Sequence, residues 1–377
     1  MICAGIGLGR GFPTGAAASQ AATAAMRGCG GPAADLVVVF ATSEHFDDEH
    51  ALVGPLVAAT RARALVGCSA SGVIAGTEEV EHESAIAVLA VSGIRASSFI
   101  EADAATRAPE IGAALRAAAD GADALLVLPD ALSFKPHALL SPLAGATATV
   151  VGAASSGVGP GPMTWQIGGG RVVGRAVAAA RIEGVRVSVG VTHAARPIGP
   201  SFRITSGERN LLRRLGDQTA VDAFRSALPP ALGQDVLRAA SGMMVAVGEC
   251  VGRSGHVMRA IVGIDVASGA IALGSPVPDG SLVRFAVRDP EGARQDLSAM
   301  LKELAGELGG ARAAFGLYFD CTGRGEGLHG LPGIDTAYIQ GALGDFPLLG
   351  LFGGAEIGPT ARGPDVHQLS GILTLFR

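Results

Sequence analysis

Short apolar runs that end in glycine or in small polar residues recur along this chain, and they constrain its fold more than any other feature. Helical patterns lie between several of these runs. An alternation of buried strands and helices is typical of α/β proteins. The runs in the first half are 36–41, 64–67, 85–91, 124–128, 149–152 and 186–191.

A strand, a helical segment and a second strand recur three times with similar sequence. The copies contain LVVVFATSEH and LVGCSASGVI, then ALLVLPDALSF and VVGAASSGVG, and finally FGLYFDCTGRG and LLGLFGGAEI. Each returning strand carries a glycine, where backbone can approach another chain or a ligand closely. We therefore expect two related α/β domains, with mixed sheets covered by helices, built from repeated strand-helix-strand units. The polar stretch 200–230 places the boundary between domains 1–200 and 201–377.

Two local elements have distinct signatures. Apolar residues at helical spacing, with Asp289 placed to cap and Pro290 at the first position, predict a helix from Pro290 to Leu308. The segment GGGRVVG, which begins at Gly168, predicts a hairpin, because its glycines do not form a GxGxxG that opens a helix; no GxxxxGK(S/T) motif occurs in the chain. We therefore expect no nucleotide and no other cofactor.

Charge and composition narrow the range of partners. The net charge is −5 and aromatic residues make up only 4% of the chain, so it lacks both basic runs and base-stacking platforms for nucleic acid. The sequence also lacks a secretory signal at its N-terminus and a run of about 18 apolar residues. We expect a cytoplasmic protein that binds neither nucleic acid nor a membrane.

Cysteines and acidic residues give no metal signature. The five cysteines form no CxxC pair, which favours reduced thiols over disulfides or a zinc ribbon. The cluster EHFDDEH contains metal-ligand residue types, but His45 and His50 are five residues apart, and acids before a helix are typical of capping. This pattern favours a solvated helix start, and we predict no metal site.

The ordered set of motifs resembles the FIST family. The first half contains FATSEH, LVGCSASGVIAGTEEVEHESAIAVLAV, LPDALSF, VVGAASSG and ARPIGPSFRIT, which are similar to the FIST N-terminal domain. The second half contains VMRAIVGID, GSPVPDGSLVRFAVRD, YFDCTGRG and PLLGLFGGAEIGP, which are similar to the FIST C-terminal domain. The resemblance implies a sensory or signal-transduction protein that binds a small ligand, for which amino acids have been suggested, and that acts on a separate signalling protein.

The DCTGRG loop is the first candidate for the ligand site. Asp320, Cys321, Thr322, Gly323 and Arg324 follow a strongly apolar strand. An arginine can hold a carboxylate in a bidentate manner while an aspartate accepts from an ammonium group, so the pair suits an amino-acid-like zwitterion. The alternative is an ion pair that pins the loop.

The remaining candidate contacts lie at the ends of matching strands. Glu356 is expected to face the same cleft as Asp320, and a surface carboxylate is the alternative. The loops after the returning strands add small residues to the expected ligand site. These residues are Cys68, Ser69, Ser155, Ser156, Gly353 and Gly354.

Two other functions stay open. Cys68 or Cys321 could be the nucleophile of a hydrolase or transferase, with His193 as a candidate base. However, the spacing in VGCSASG does not match GxSxG, and a buried free cysteine is the alternative. The chain could also be a protein-interaction scaffold without a ligand. No residue pattern specifies a reaction, so an enzyme is the less favoured interpretation.

Overall fold

The computed structural model describes residues 1–46, 49–159, 161, 163–228, 235–248 and 256–377, and they form two compact units. The first unit comprises Met1–Val191, Ser298–Val366 and Gly371–Arg377, and the second comprises Thr192–Leu297 and His367–Ser370. The division expected from the sequence, 1–200 and 201–377, follows chain order, whereas the spatial units are interleaved in sequence.

The helices are distributed over both units, and most are short. Their bounds are α1 (Thr14–Cys29), α2 (Glu49–Thr60), α3 (Ala108–Ala119), α4 (Pro136–Leu140), α5 (Ala220–Ala227), α6 (Val236–Ala240), α7 (Pro290–Leu308), α8 (Gly325–His329) and α9 (Ile334–Leu343).

Strands before residue 200 are β1 (Cys3–Arg10), β2 (Leu36–Thr42), β3 (Ala64–Ala70), β4 (Val73–Ala75), β5 (Glu78–Val80), β6 (Ala85–Ser92), β7 (Arg95–Glu101), β8 (Ala124–Pro129), β9 (Thr149–Ala154), β10 (Gln166–Gly168), β11 (Arg171–Val173), β12 (Val177–Glu183), β13 (Val187–His193) and β14 (Ala195–Pro197). The later strands are β15 (Phe202–Glu208), β16 (Leu211–Leu215), β17 (Gln218–Thr219), β18 (Met243–Gly248), β19 (His256–Asp265), β20 (Ala270–Leu273), β21 (Leu282–Arg288), β22 (Phe315–Cys321), β23 (Leu348–Gly353), β24 (Ala355–Thr360), β25 (Gly363–His367) and β26 (Ser370–Phe376).

The first unit is built on three six-stranded sheets, in the orders β1-β6-β2-β3-β10-β11, β25-β24-β9-β8-β12-β7 and β13-β26-β22-β23-β4-β5. In each sheet one central pair is parallel, namely β2–β3, β8–β9 and β22–β23. A helical segment joins the two strands of each parallel pair, as a parallel connection requires. The mixed α/β character predicted from sequence is confirmed, whereas the three segments as repeated strand-helix-strand units stay a prediction.

The principal core of the first unit draws residues from all three sheets. It includes Phe40 and Val66 of the first sheet, Leu126 of the second and Phe319 of the third. The rings of Phe40 and Phe319 meet edge to face, with centroids 6.4 Å apart. A second cluster fills the space between the first sheet and helices α1 and α2. Burial on both faces explains why these strands are continuously apolar in sequence.

The second unit differs from the expected α/β domain. Strands β21, β15, β16, β20, β19 and β18 pair in that order, and β18 pairs back to β21, so the six strands close into an antiparallel barrel. Phe224 of α5 packs into its core against Phe285. The expectation of a second sheet covered by helices was wrong here, because neighbouring strands such as β15 and β16 or β19 and β20 are joined by short turns, without a crossover helix.

Both local predictions are confirmed. The helix runs from Pro290 to Leu308, and the carboxylate of Asp289 accepts a hydrogen bond from the backbone N–H of Glu291 at 3.1 Å. Strands β10 and β11 form an antiparallel hairpin. Gly169 and Gly170 make its turn with φ values of 57° and 75°, which favour glycine. Among the described residues, none of the helices is both long and apolar enough to span a membrane.

Candidate functional site

Four serines that follow or end strands β3 and β9 make hydrogen bonds that join these strand ends to each other and to β23; we call this group (Ser69, Ser71, Ser155 and Ser156) the serine knot. Ser69 Oγ donates to the carbonyl of Ser156 at 3.0 Å. Ser156 Oγ accepts from the N–H of Ser71 at 2.7 Å and donates to the carbonyl of Phe352. These bonds satisfy polar groups that would be costly to bury alone, so the knot ties three strand ends together.

The structure brings together the small residues that the sequence singled out. Ser155 Oγ accepts from Gln166 Nε2 at 3.0 Å, and the N–H of Gly354 donates to the carbonyl of Ala154 at 3.0 Å. A Cβ added at Gly353 would lie 2.9 Å from that of Ala153, so the chains approach closely there. Contact of these residues with a ligand stays a prediction, since the serines are hydrogen-bonded within the protein.

A buried cluster of charged side chains lies beside the knot, and we call it the Asp320 cluster (Tyr318, Asp320, Arg324, His329 and Asp335). Asp320 and Arg324 are 0% exposed and Asp335 is 1% exposed. Arg324 Nη2 and Nε donate to Asp335 Oδ2 at 2.6 Å and 3.1 Å, and Tyr318 donates its hydroxyl to the same oxygen at 2.7 Å. His329 Nε2 lies 3.0 Å from Asp335 Oδ1. Asp335 is therefore the hub of the cluster.

Asp320 makes the weaker contact with the same guanidinium. Its Oδ1 lies 2.8 Å from Arg324 Nε, yet neither carboxylate oxygen has a hydrogen bond of good angle. The single Nε hydrogen points to Asp335, so the contact with Asp320 is electrostatic. The contact between Asp320 and Arg324 that the sequence offered as the alternative role is thus present, although the ionised partner of Arg324 is Asp335. Cys321 is also buried, whereas Thr322 is exposed and Gly323 is half-buried.

The two carboxyl groups of the cluster are driven to opposite protonation states. Burial raises the pKa of Asp320 well above its usual range, and Arg324 only partly opposes this shift. Burial would also raise the pKa of Asp335, but Arg324 and hydrogen bonds from His329 and Tyr318 lower it below its usual value. One guanidinium cannot neutralise two buried carboxylates, so the environment favours the protonated form of Asp320 and the ionised form of Asp335.

Two glutamates at the end of the β4–β5 hairpin hold the segment that follows Arg324. Glu79 accepts hydrogen bonds from the N–H groups of Gly333 and Thr336, at 2.8 Å and 3.1 Å, which caps the start of α9. Glu81 accepts from the N–H of Glu326 at 2.8 Å. Gly325 has a φ of 54°, and a Cβ there would lie 2.5 Å from the Glu81 carboxylate. The loop therefore needs glycine at this position.

Glu356 is fully buried, so the surface-carboxylate alternative is wrong. It lies in β24 opposite Ala153 of β9. Burial is the main cause of the raised pKa of Asp320, and the charge of Glu356 adds to it. That Glu356 faces a ligand cleft together with Asp320 stays a prediction. Glu356 thus adds a third carboxyl group to a region that holds one buried guanidinium.

Sequence reasoning missed Tyr318, His329, Asp335, Glu79 and Glu81. Tyr318 is a lone polar residue within an apolar strand, which was the only local signal for it. Asp335 lies in the first turn of α9, two residues after Gly333, where an acidic residue is common for helix-dipole reasons. Its role depends on contacts with residues on other elements, which a local pattern does not encode.

The opposite protonation states predict opposite effects of two isosteric substitutions. Asp320→Asn should raise the free energy of unfolding by about 1 kcal/mol or more at pH 8, because an amide replaces a carboxyl group that resists ionisation. Asp335→Asn should lower it by about 1–3 kcal/mol, because Tyr318 and Arg324 lose a charged acceptor. Urea unfolding of both variants and the wild type measures the difference.

The pH dependence of the Asp320→Asn effect has a defined sign. The pKa of Asp320 is raised in the folded protein, so the wild type loses stability as the pH rises above the unfolded value of about 3.9 towards the folded value. The advantage of Asp320→Asn should vanish near pH 4 and grow above it. An advantage that grows on acidification would contradict the assignment of the proton to Asp320.

Cys68 has the wrong environment for a nucleophile. It is fully buried in β3, and burial raises the pKa of its thiol, which suppresses the reactive thiolate. His193, its candidate base, stacks on His256 with ring centroids 4.7 Å apart and lies 4.0 Å from Asp296. Both contacts lie within the second unit.

The EHFDDEH cluster is only partly a solvated helix start. Glu44 is exposed, but His45 is fully buried, with Thr14 Oγ1 3.1 Å from its Nδ1 and the ring of Phe12 at 4.7 Å. Burial lowers the pKa of His45 and so favours its neutral form, and the expectation of full solvation was wrong for this residue. Asp47 and Asp48 lie outside the described residues.

In the part of the chain that the structure describes, no group of three ligand-type side chains is placed to hold a metal.

Comparison with known proteins identifies the class of protein. The model of the FIST N domain matches residues 35–218, and that of the FIST C domain matches residues 220–359. This chain therefore belongs to the FIST family, whose domains are generally associated with sensory and signalling roles.

Similar full-length proteins occur in mycobacteria. An uncharacterized protein of Mycobacterium tuberculosis is 30% identical over 372 residues, which cover 96% of each chain. An uncharacterized protein of Mycobacterium bovis is 30% identical over 369 residues, which cover 96% of this chain and 95% of the relative.

Proposed function

We propose that this protein is a sensory protein that binds a small polar metabolite, with an amino acid as the best-fitting chemistry, at the DCTGRG loop. The observation that carries the proposal is a set of buried polar atoms around one guanidinium. Asp320 Oδ2, Arg324 Nη1 and His329 Nδ1 are buried and have no hydrogen-bond partner in the described protein. Buried polar atoms are seldom left in this state except at functional sites.

The chemistry of these atoms favours a zwitterion. Arg324 Nη1 is a donor for a ligand carboxylate, and Asp320 offers an acceptor for an ammonium group. A bound ammonium would also favour the ionised form of Asp320, because an opposite charge lowers the pKa of a buried carboxyl group. Ligand binding at this site should therefore release a proton from Asp320.

We propose that a ligand reaches the buried cluster through the loop itself. Thr322 is exposed, and the segment from Gly325 to Asp335 is tied down by Glu79, Glu81 and the Arg324–Asp335 contact. A small displacement of α8 would open the cluster to solvent. We propose that this displacement is the response transmitted to a separate signalling protein in the cytoplasm, where thiols such as those of Cys29 and Cys68 stay reduced.

The proposal is tested by thermal unfolding against a panel of amino acids and small organic acids. A compound at 100 times its Kd should stabilise the wild type by about 2.7 kcal/mol. Asp320→Asn should abolish this shift, because it removes the carboxylate without emptying the site. Asp120→Asn, which changes an exposed carboxylate outside the cluster, should leave the shift intact. If no compound shifts the transition, or if both variants respond as the wild type does, the proposal fails.

A second measurement tests whether ligand binding releases a proton from Asp320. Calorimetric titration of the active compound in two buffers of different ionisation enthalpy should reveal proton release, because Asp320 changes from neutral to ionised. A heat that is independent of the buffer would contradict the role of Asp320.

A further inference from the structure

An open cleft of the first unit gathers three arginines away from the Asp320 cluster. It has a volume of about 570 Å³ and lies where β12 turns into β13, where β26 ends and where the chain leaves α7. Its lining residues are Asp123, Gly184, Val185, Arg186, Ala311, Arg312 and Arg377.

The backbone fixes two of the arginines side by side. The N–H of Arg186 donates to the carbonyl of Arg377 at 2.8 Å, and the N–H of Arg377 donates to the carbonyl of Arg186 at 2.9 Å. This reciprocal exchange marks directly opposite residues of antiparallel strands, whose side chains share one face. Like charges placed directly opposite are destabilising, so an anion bound between these arginines would stabilise the pair.

The described residues form no ion pair with the side chains of these arginines, although the Asp123 carboxylate lines the same cleft. Among the residues that the structure describes, none of the three guanidiniums lies within 4.0 Å of an Asp or Glu carboxylate. Arg312 donates to the carbonyl of Asp345 at 2.7 Å, and Arg377 Nε is buried without a hydrogen-bond partner. Asp123 Oδ2 accepts from the N–H groups of Gly184 and Val185, which fixes the turn between β12 and β13.

We infer that this cleft binds the phosphate group of a small phosphorylated sugar or polyol. Three arginines line one concave site, and guanidinium groups match the several oxygens and the double charge of a phosphate monoester. The volume exceeds that of phosphate alone and falls in the range of metabolite sites, about 300–1,000 Å³. Asp123 Oδ1 is left to accept from a hydroxyl group of the remaining ligand.

Isothermal titration with inorganic phosphate, glucose 6-phosphate, glucose and succinate tests the assignment. Glucose 6-phosphate should bind, inorganic phosphate should bind more weakly, and glucose should not bind. Arg186→Gln should weaken binding of glucose 6-phosphate roughly tenfold, as expected for loss of one nearby charge. Arg171→Gln removes the same charge at an exposed position outside the cleft and should have no effect.

Several outcomes would overturn the inference. These are failure of both phosphate probes to bind, equal weakening by Arg186→Gln and Arg171→Gln, or tighter binding of succinate than of glucose 6-phosphate. As a second readout, phosphate should raise the Tm of the wild type more than that of Arg186→Gln. An equal rise in both would indicate a general salt effect and would also reject the site.

Discussion

Replacement of Arg324 by methionine should lower the free energy of unfolding by about 3–5 kcal/mol at pH 7, because it leaves buried carboxyl groups without their cation. Arg324 is 0% exposed, and its guanidinium contacts both Asp320 and Asp335. Methionine keeps the length of the side chain and removes the charge and the donors. Urea unfolding, followed by fluorescence and by circular dichroism, measures the loss.

The pH dependence of the Arg324→Met variant identifies the cause of this loss. Without Arg324, burial raises the pKa of Asp335 above its unfolded value of about 3.9, so the variant loses stability as the pH rises through that range. In the wild type the pKa of Asp335 is lowered, and its contribution is present above about pH 4 and is lost on acidification. The stability deficit should therefore be largest at neutral pH and smallest below pH 4.

Arg225→Met is the matched control for the loss of an arginine ion pair. Arg225 lies 2.9 Å from Asp222 on α5, and both side chains are largely exposed. A surface pair at this spacing contributes less than about 0.5 kcal/mol. If Arg324→Met lowers the free energy of unfolding by no more than Arg225→Met does, the Asp320 cluster does not stabilise the loop. That result would also contradict the mechanism proposed for the sensor.

The buried strands were predictable because their signal is local. The runs 36–41 and 124–128 correspond to Leu36–Thr42 and Ala124–Pro129, and both strands are buried along their whole length. A strand covered on both faces needs only a short apolar run with turns at its ends. The helix Pro290–Leu308 was predictable for the same reason, since cap, proline and periodicity lie within one segment.

Long-range pairings were not predictable from the same patterns. Val73–Ala75 pairs with β23, on residues near Gly350, although nothing in VIA specifies a partner so far along the chain. Glu79 and Glu81 belong to an acidic run that resembles a solvated surface, yet both cap segments beyond residue 325. Their function depends on a sheet that forms only when the distant parts of the chain meet.

In the candidate site too, residues with a local signal were predictable and residues that depend on long-range contacts were not. Asp320, Arg324 and Glu356 were identified because each follows or lies within a strand near a glycine-rich loop, and they do lie near one another. The hub residue, Asp335, was not identified. Its only sequence signature is that of an ordinary helix start, because its role depends on contacts with residues on other elements. The sequence therefore indicated the region of the site but not the charge network within it.

Gly67→Ala should lower stability by about 3 kcal/mol, because the added methyl group meets backbone that cannot yield. A Cβ at Gly67 would lie 2.1 Å from the carbonyl oxygen of Val39, its partner in the parallel pair β2–β3. Strand β3 is also paired on its other edge, where Ile167 lies opposite Gly67. Relief of the clash therefore requires a strand at the centre of the sheet to move.

The environment of Gly67 recurs at two other glycines. A Cβ at Gly152 would lie 1.9 Å from the carbonyl oxygen of Val127, and one at Gly350 would lie 2.4 Å from that of Tyr318. Each parallel pair thus approaches closely at one glycine on its returning strand. Because these strands lead into the serine knot and towards the Asp320 cluster, displacement of one of them should also disturb the proposed ligand site.

Gly341→Ala, in the same unit, should change stability in the opposite direction. Gly341 lies within α9, and a Cβ there would meet no atom within 4 Å. Alanine should raise stability by up to about 1 kcal/mol, because it is the better helix former. Thermal and urea unfolding of the two variants should thus diverge in sign. A Gly67→Ala variant with the wild-type Tm would show that β2 and β3 can separate at no cost, which would contradict close packing of these strands.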